Sequence, residues 1–232
     1  MWLIAEYEPT TLYSLKPATA TSSGGKTLLT PTPFALKMAL LDVVFRTAGA
    51  AQAEALWPAI RDLQVALRPS RYAVVTNLFT RILKPSRSAK GLLDRTIGYR
   101  EYVHFSEPWS LAFQGDEAEA PPSWLAMAVA GVSYLGKRGS FVQLTRTPHT
   151  AVELPNGYVR LNVPGGQAAF DARGTLQLLD DCGPQMSLAH ADIYSGKNMR
   201  PGQERIHLPV VLPYRVMRTS KSYTLYEHVS AT

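Results

Sequence analysis

Residues 32–41, Thr-Pro-Phe-Ala-Leu-Lys-Met-Ala-Leu-Leu, decide the fold of this chain because they start a helix between two runs of β-type residues. Thr32 can cap the helix and Pro33 suits its first turn. The large apolar residues that follow recur at helical spacing, and Gly49 is predicted to end this helix. A second helical stretch is predicted over residues 51–67.

The patterns around this helix predict strands on both sides of it and a second, shorter helix. That second helix is predicted over 124–135, with Ser123 as its cap and Gly136 as its end. The resulting order is β-α-β-β-α-β with an extra helix before the second strand, an α+β arrangement typical of the ferredoxin-like fold of many RNA-recognition modules. Its strands are predicted at 2–7, 71–83, 97–105, 109–113 and 140–145.

The second half of the chain is predicted to be rich in β-structure. Pro155-Asn156-Gly157 lies between two short strand patterns and predicts a hairpin turn. We therefore expect a ferredoxin-like domain over 1–147, with a thumb-like basic insertion at about 84–98, and a β-rich region over 148–232. Further strands are predicted at about 175–179, 207–212, 214–218 and 222–228.

Composition fits a protein of the cytoplasm, and its moderate excess of positive charge permits a polyanionic partner. The 232 residues carry 24 Lys and Arg against 18 Asp and Glu, a net charge of +6, and 46% of them are hydrophobic. The single cysteine, Cys182, fits a reducing compartment. The sequence contains no apolar run of the roughly 20 residues that a membrane helix needs, so no membrane partner is expected.

The sequence contains neither a complete phosphate loop nor a metal-binding pair of histidines. Residues 20–27 satisfy a relaxed phosphate-loop pattern that ends in Lys26 and Thr27, but Pro31 and Pro33 prevent a helix from continuing out of that lysine. The five histidines form no metal-spaced pair. We therefore expect no nucleotide hydrolysis, no metal, no cofactor and no catalytic residues.

The placement of charge is the strongest functional signal. Residues 61–100 contain nine Arg and Lys against two Asp, a local net charge of +7. Tyr72, Phe79, Tyr99 and Tyr102 are interleaved with these cations and could stack on unpaired bases. A solvated basic face over core aromatics is the alternative, and the density of arginine favours RNA binding.

A glycine-flanked basic turn is the second binding candidate. Residues 136–140 read Gly-Lys-Arg-Gly-Ser, and glycines allow a backbone to approach a ligand closely. The alternative is a helix stop followed by an ordinary basic turn. The RNA-binding residues predicted from both signals are Lys26, Arg81, Lys84, Arg87, Lys90, Arg95, Arg100, Lys137, Arg138 and Ser140.

Three of these features together resemble the Cas-five family of the RAMP superfamily, found in type I CRISPR complexes of the Cascade kind. They are the proline-containing entry to the helix at residues 30–40, the basic insertion at 84–95 between the second and third strands, and the glycine-rich turn at 136–140. The insertion resembles the family's thumb. The resemblance covers roughly the first two-thirds of the chain.

This resemblance implies a non-catalytic subunit that binds the 5′ handle of the crRNA in antiviral defence. It implies contacts with the backbone and large subunits and proximity to target DNA in the assembled complex. One branch of the family cleaves precursor RNA with a tyrosine and an adjacent lysine-histidine pair, whereas Lys137 is followed here by Arg138.

Two other classes of function stay open. The first is a metal-independent endoribonuclease that processes precursor crRNA with Tyr102, His104 and Lys137. The second is a structural RAMP subunit of a type III complex, or an unrelated ferredoxin-like assembly protein.

Overall fold

The computed structural model describes residues 1–18, 20, 25–88, 91–115, 120–163 and 173–229. Antiparallel sheets with few helices make up this part of the chain, which confirms the predicted α+β class. In chain order the elements are β1 (Trp2–Pro9), α1 (Pro33–Arg61), β2 (Gln64–Arg68), β3 (Tyr72–Pro85), β4 (Leu93–Phe105), β5 (Trp109–Gln114), α2 (Ser123–Ala130), β6 (Val142–Leu144), β7 (His149–Ala151), β8 (Val159–Arg160), β9 (Thr175–Cys182), α3 (Leu188–Ala191), β10 (Arg205–Leu212), β11 (Tyr214–Thr219) and β12 (Tyr223–His228).

Helix α1 begins where the sequence predicts. Thr32 is its N-cap and accepts a hydrogen bond of 3.1 Å from the amide of Ala35. Gly49 adopts non-helical angles (φ 83°, ψ 175°) and divides α1 into two helical runs, as its position indicated. The second run continues through Pro58 to Arg61.

The predicted helix at 51–67 is wrong at its end, because Gln64–Arg68 forms strand β2. Val65, Ala66 and Leu67 are all buried, since this strand is covered on both faces. A strand buried on both faces gives a continuous apolar run, which periodicity does not distinguish from a buried helix.

The largest sheet has the order β6-β1-β5-β2-β8, and β7 also pairs with β1. Within it β5 lies antiparallel between β1 and β2, with Ile4 opposite Ala112 and Ala66 opposite the same residue. One face of the sheet packs against α1 and α2 in the main hydrophobic core. The other face buries a small cluster that contains Trp2 and Ile4 beneath residues of the 151–158 segment.

Helix α2 is shorter than predicted. Its N-cap position is Pro122 and not Ser123, and it ends at Ala130 before Gly131 instead of reaching Gly136. Beyond the end of the helix, Val132 and Leu135 are buried in a loop that packs on the core. Their apolar character extended the helix prediction too far. Strand β6 is correspondingly shorter than the predicted 140–145.

Strands β3 and β4 form a long hairpin, paired continuously from Ala73–Phe105 to Pro85–Leu93. Along the chain, the hairpin lies between β2 and β5. In sequence order these two strands are the second and third of the large sheet, after β1. The hairpin is longer than the insertion predicted at 84–98. The strands predicted on either side of that insertion, 71–83 and 97–105, form the two arms of the same hairpin. Strands β12 and β11 extend it into the four-stranded sheet β11-β12-β3-β4.

Strands β9 and β10 pair antiparallel, and β9 packs against α1. The turn at 155–157 is present, with Gly157 at φ 86°, but the predicted hairpin is wrong. Its flanking strands pair elsewhere: β7 with β1, and β8 with β2. Strands from both sides of residue 148 therefore share sheets.

Candidate nucleic-acid interface

A cavity of about 500 Å³ opens where the loop after β1, the start of α1, strand β4 and the turn at 136–140 meet. We call it the basic cleft. Its described lining residues are Ser14, Leu15, Lys16, Thr32, Phe34, Ala35, Met38, Arg100, Gly136, Lys137, Asp180 and Arg205.

Arg205, the first residue of β10, is held in place by Asp180 of β9 and by Phe34 of α1. The Nε of Arg205 donates a 2.7 Å hydrogen bond to Oδ2 of Asp180, whose side chain is buried. The Arg205 guanidinium also lies 4.3 Å from the ring centre of Phe34, in the first turn of α1. An arginine held by a carboxylate and an aromatic ring presents its remaining donors in a fixed direction.

Three further cations, Lys16, Arg100 and Lys137, line the same cavity. Burial lowers the pKa of the Lys137 ammonium, and the charges of Arg100 and Lys16 lower it further. An anion between these like charges would offset their mutual repulsion, which adds to the larger effect of burial in disfavouring the protonated lysine. With Arg205, the cleft therefore gathers four cations around one cavity.

The turn at 136–140 is fixed by packing and hydrogen bonds against the loop after β1. Gly136 has φ 72°, and a Cβ there would lie 2.6 Å from a methyl group of Leu15, so a glycine is required. Ser140 is buried, and its hydroxyl exchanges 3.2 Å hydrogen bonds with the backbone amide and carbonyl of Ser14. The Ser140 hydroxyl, predicted to contact RNA, therefore fixes the turn against the loop after β1, while Lys137 and Arg138 are exposed.

Lys26 lies outside the cleft lining, on a segment docked along β4. Its Nζ lies 3.2 Å from Oε1 of Glu101, and the other carboxylate oxygen of Glu101 accepts a 3.0 Å bond from the amide of Thr27. Gly25 passes so close to β4 that a Cβ would lie 2.0 Å from the carbonyl oxygen of Tyr99. Residues 21–24 of the relaxed phosphate-loop pattern lie outside the described residues, and no helix begins at Lys26.

The hairpin carries most of the other predicted contacts. Arg81, Lys84, Arg87 and Arg95 are exposed there, and Lys90 lies outside the described residues. We call the outer part of the hairpin, described residues 79–88 and 91–97, the hairpin tip. Arg81 and Arg95 share a face of the tip with apolar side chains that are largely exposed: Phe79 (66%), Leu83 (61%) and Ile97 (68%).

A buried ion pair supports the wall that carries Arg205. Lys37 and Asp181 are almost fully buried, and Lys37 Nζ lies 2.7 Å from Asp181 Oδ1 and donates a 2.6 Å bond to the carbonyl of Arg61. Burial raises the pKa of the Asp181 carboxyl, and the charge and hydrogen bond of Lys37 partly offset this, as does Asn162. The pair ties β9 to α1.

Sequence reasoning found Arg100 and Lys137, which meet in the cleft, but missed Lys16, Phe34, Asp180 and Arg205. Asp180 and Asp181 are buried at the end of β9, and the sequence signals this only by the apolar residues before them. Arg205 reaches the cleft through a strand pairing that no local pattern specifies.

The described residues contain no group of three or more His, Cys, Asp or Glu side chains that could hold a metal ion. Within the same residues, no helix is long and apolar enough to cross a membrane.

Comparison with known proteins gives one curated relative, and no family model matches the chain. The relative is the CRISPR-associated protein Cas5 of Archaeoglobus fulgidus, 27% identical over 115 residues, which are 48% of this chain and 49% of that protein. The matched segment thus spans about half the length of the curated relative. The predicted resemblance to the Cas-five family is confirmed by this relative.

Two solved structures are similar to this chain. A CRISPR protein from Archaeoglobus fulgidus matches with a TM-score of 0.47 and 9% identity, over 99% of this chain and 92% of that one. A chain of a CRISPR RNA-guided surveillance complex matches with a TM-score of 0.46 and 15% identity, over 91% of this chain and 90% of that one.

Proposed function

We propose, with its relationship to Cas5 as the premise, that this chain is a non-catalytic RNA-binding subunit of a type I CRISPR effector complex. The basic cleft binds the 5′ handle of the crRNA in this proposal. The observation that carries it is the convergence of Lys16, Arg100, Lys137 and Arg205 on one cavity of about 500 Å³ beside the ring of Phe34.

The chemistry of the cleft suits a single-stranded polynucleotide. Arginine forks donate parallel hydrogen bonds to phosphate, and lysine adds point charge. Phe34 provides a ring beside these cations, and unpaired bases stack on such rings. The start of α1 at Thr32 adds the partial positive charge of a helix N-terminus to the same cavity.

The proposal includes a ferredoxin-like core with the β3–β4 hairpin as the family's thumb. The strand order β6-β1-β5-β2, with α1 after β1 and α2 after β5, supports it. The hairpin then reaches the backbone subunit, and other surfaces meet the large subunit near target DNA in the cytoplasm. The exposed Phe79, Leu83 and Ile97 support a protein contact, since clustered exposed apolar side chains mark interaction sites.

Handle binding is tested with a fluorescent RNA of the handle sequence and the double variant Arg100→Ala, Lys137→Ala. We expect affinity to fall about tenfold or more, and the salt dependence to flatten by about 0.7 in log–log slope for each lost phosphate contact. The matched control is Arg46→Ala, Lys197→Ala, which removes two exposed cations outside the cleft. Equal losses in both double variants would remove the cleft from the binding site.

Absence of catalysis is part of the proposal and has its own test. Tyr102 and His104 lie two residues apart on β4, and among the described lining residues of the cleft only Lys137 of the three candidates is present. Repeat RNA incubated with the protein in chelator should stay intact. Cleavage that disappears in His104→Ala would instead establish the endoribonuclease alternative.

A further inference from the structure

The four-stranded sheet β11-β12-β3-β4 has one face turned away from the core. In β3, Ala73 and Val75 are buried, whereas Tyr72, Val74 and Thr76 point to the other side and are partly exposed. The register of the neighbouring strands extends this side into a continuous surface, which we call the outer sheet face. Its residues are Tyr72, Val74, Thr76, Leu78, Arg100, Tyr102, His104, Arg215, Arg218, Tyr223, Leu225 and Glu227.

Two tyrosines occupy one row of the outer sheet face. Thr76 pairs with Tyr102 on one side and with Tyr223 on the other, so the two rings stand two strands apart. Strands in a sheet are about 4.8 Å apart, which separates the ring-bearing backbones by about 10 Å. Both tyrosines are partly exposed, so each leaves ring surface on which an unpaired base can stack.

Cations surround this row. Arg218 stands in the next row, opposite Leu225, and exposed Lys221 lies in the turn between β11 and β12. At the far edge, Arg71 lies 5.1 Å from the ring centre of Tyr72. Glu227 is the acid of the outer sheet face, and Arg215 engages it through a 2.7 Å hydrogen bond. The surface is therefore positive and aromatic, which complements a polyanion that carries flat bases.

The outer sheet face is continuous with the basic cleft through Arg100. Arg100 lines the cleft, and it lies two residues before Tyr102 in β4, on the same side of the strand. A polynucleotide that leaves the cleft past Arg100 therefore meets the tyrosine row directly.

We propose that the outer sheet face is a second binding surface for single-stranded polynucleotide, on which Tyr102 and Tyr223 stack bases and Arg218 and Lys221 contact phosphates. The path of the strand from the cleft rests on the proposed function, whereas the surface itself stands on the register and charges of this sheet. The strand is the RNA that continues from the handle, because Arg100 belongs both to the cleft and to this face.

The test uses the full chain and oligonucleotides of about 8 and about 16 nucleotides, in RNA and in DNA, with binding followed by fluorescence anisotropy. One double variant is Tyr102→Leu, Tyr223→Leu, which keeps apolar bulk and removes the rings. A second is Arg218→Gln, Lys221→Gln, at exposed positions where folding is little affected. The matched control is Arg46→Gln, Lys197→Gln.

We expect both outer-face variants to lose about fivefold or more in affinity for the longer strand and little for the shorter one. The tyrosine variant should keep the salt dependence of the wild type, because rings carry no charge, while the Arg218, Lys221 variant should flatten it. A loss with RNA at least as large as the loss with DNA supports the proposal, and a loss confined to DNA would overturn the assignment of this surface to RNA.

Unchanged affinity for the longer strand in both variants would overturn the second surface and leave the cleft intact. A defect confined to assembly with protein subunits, at full nucleic-acid affinity, would overturn it in favour of a protein contact. Failure of the handle proposal would give a different result. In that case the Arg100→Ala, Lys137→Ala variant would bind the shorter strand with wild-type affinity.

Discussion

The basic cleft and the hairpin tip are both rich in cations, but they are constructed in opposite ways. In the cleft, Arg205 is held by buried Asp180 and by the ring of Phe34, and the turn with Lys137 is fixed by a buried serine. At the tip, cations stand beside apolar side chains such as Ile97, which is 68% exposed.

This difference separates two kinds of recognition. A cleft whose groups are already fixed by buried contacts binds its ligand with little loss of conformational freedom. A surface that keeps large apolar side chains in water gains free energy only when a partner covers them. The cleft therefore suits a charged strand, and the tip suits a protein subunit.

The largest expected effect is on the unfolding free energy, at the buried Lys37–Asp181 pair that ties β9 to α1 beside the cleft. Lys37→Met leaves buried Asp181 without its cation, and breaking such a pair costs about 3–5 kcal/mol of unfolding free energy. Urea unfolding followed by circular dichroism measures the loss. Since burial already raises the pKa of Asp181, the loss should be greater at pH 8, where the carboxylate is charged, than at pH 5.

The control for this variant lies at the hairpin tip. Arg87→Met removes an exposed cation there and should change the unfolding free energy by no more than about 0.5 kcal/mol. Similar losses in the two variants would mean that the Lys37–Asp181 pair does not carry the stability assigned to it.

Local signals in the sequence predicted much of this construction. Thr32 and Pro33 marked the start of α1, Gly49 marked its interruption, and charge density marked the hairpin, because each depends on neighbouring residues alone. Arg100 and Lys137 were found for the same reason.

Long-range pairing explains what the sequence did not predict. Lys37 lies in α1 among the apolar residues that mark the helix, and the sequence does not show that β9 covers its side of α1 and supplies Asp181. Strand β2 looked helical because it is buried on both faces. Arg205 joins the cleft only through the pairing of β10 with β9, which no local pattern encodes.

A smaller effect is expected at the hairpin tip, where function and stability should separate. Leu83→Ser with Ile97→Ser replaces two exposed apolar side chains on one face and should leave the unfolding free energy within about 0.5 kcal/mol of wild type. Incorporation into the reconstituted complex should fall, because the partner loses apolar contact. Thr80→Ser with Thr96→Ser, on the opposite face, is the control, and full incorporation of the first variant would exclude the tip from assembly.

The smallest effect concerns the charge of Lys137. Burial and the neighbouring cations Arg100 and Lys16 lower its pKa below the ordinary 10.5, so the lysine begins to lose its proton at a lower pH than a free lysine does. Handle affinity should therefore decline as pH rises from 7 to 9.5, by about twofold for one weakened phosphate contact. Over the same range the unfolded chain binds more protons at this site than the folded one, so stability should rise slightly with pH. Lys137→Arg keeps its charge throughout and should flatten the affinity profile. An identical decline in wild type and Lys137→Arg, measured by anisotropy at constant ionic strength, would show that another group titrates.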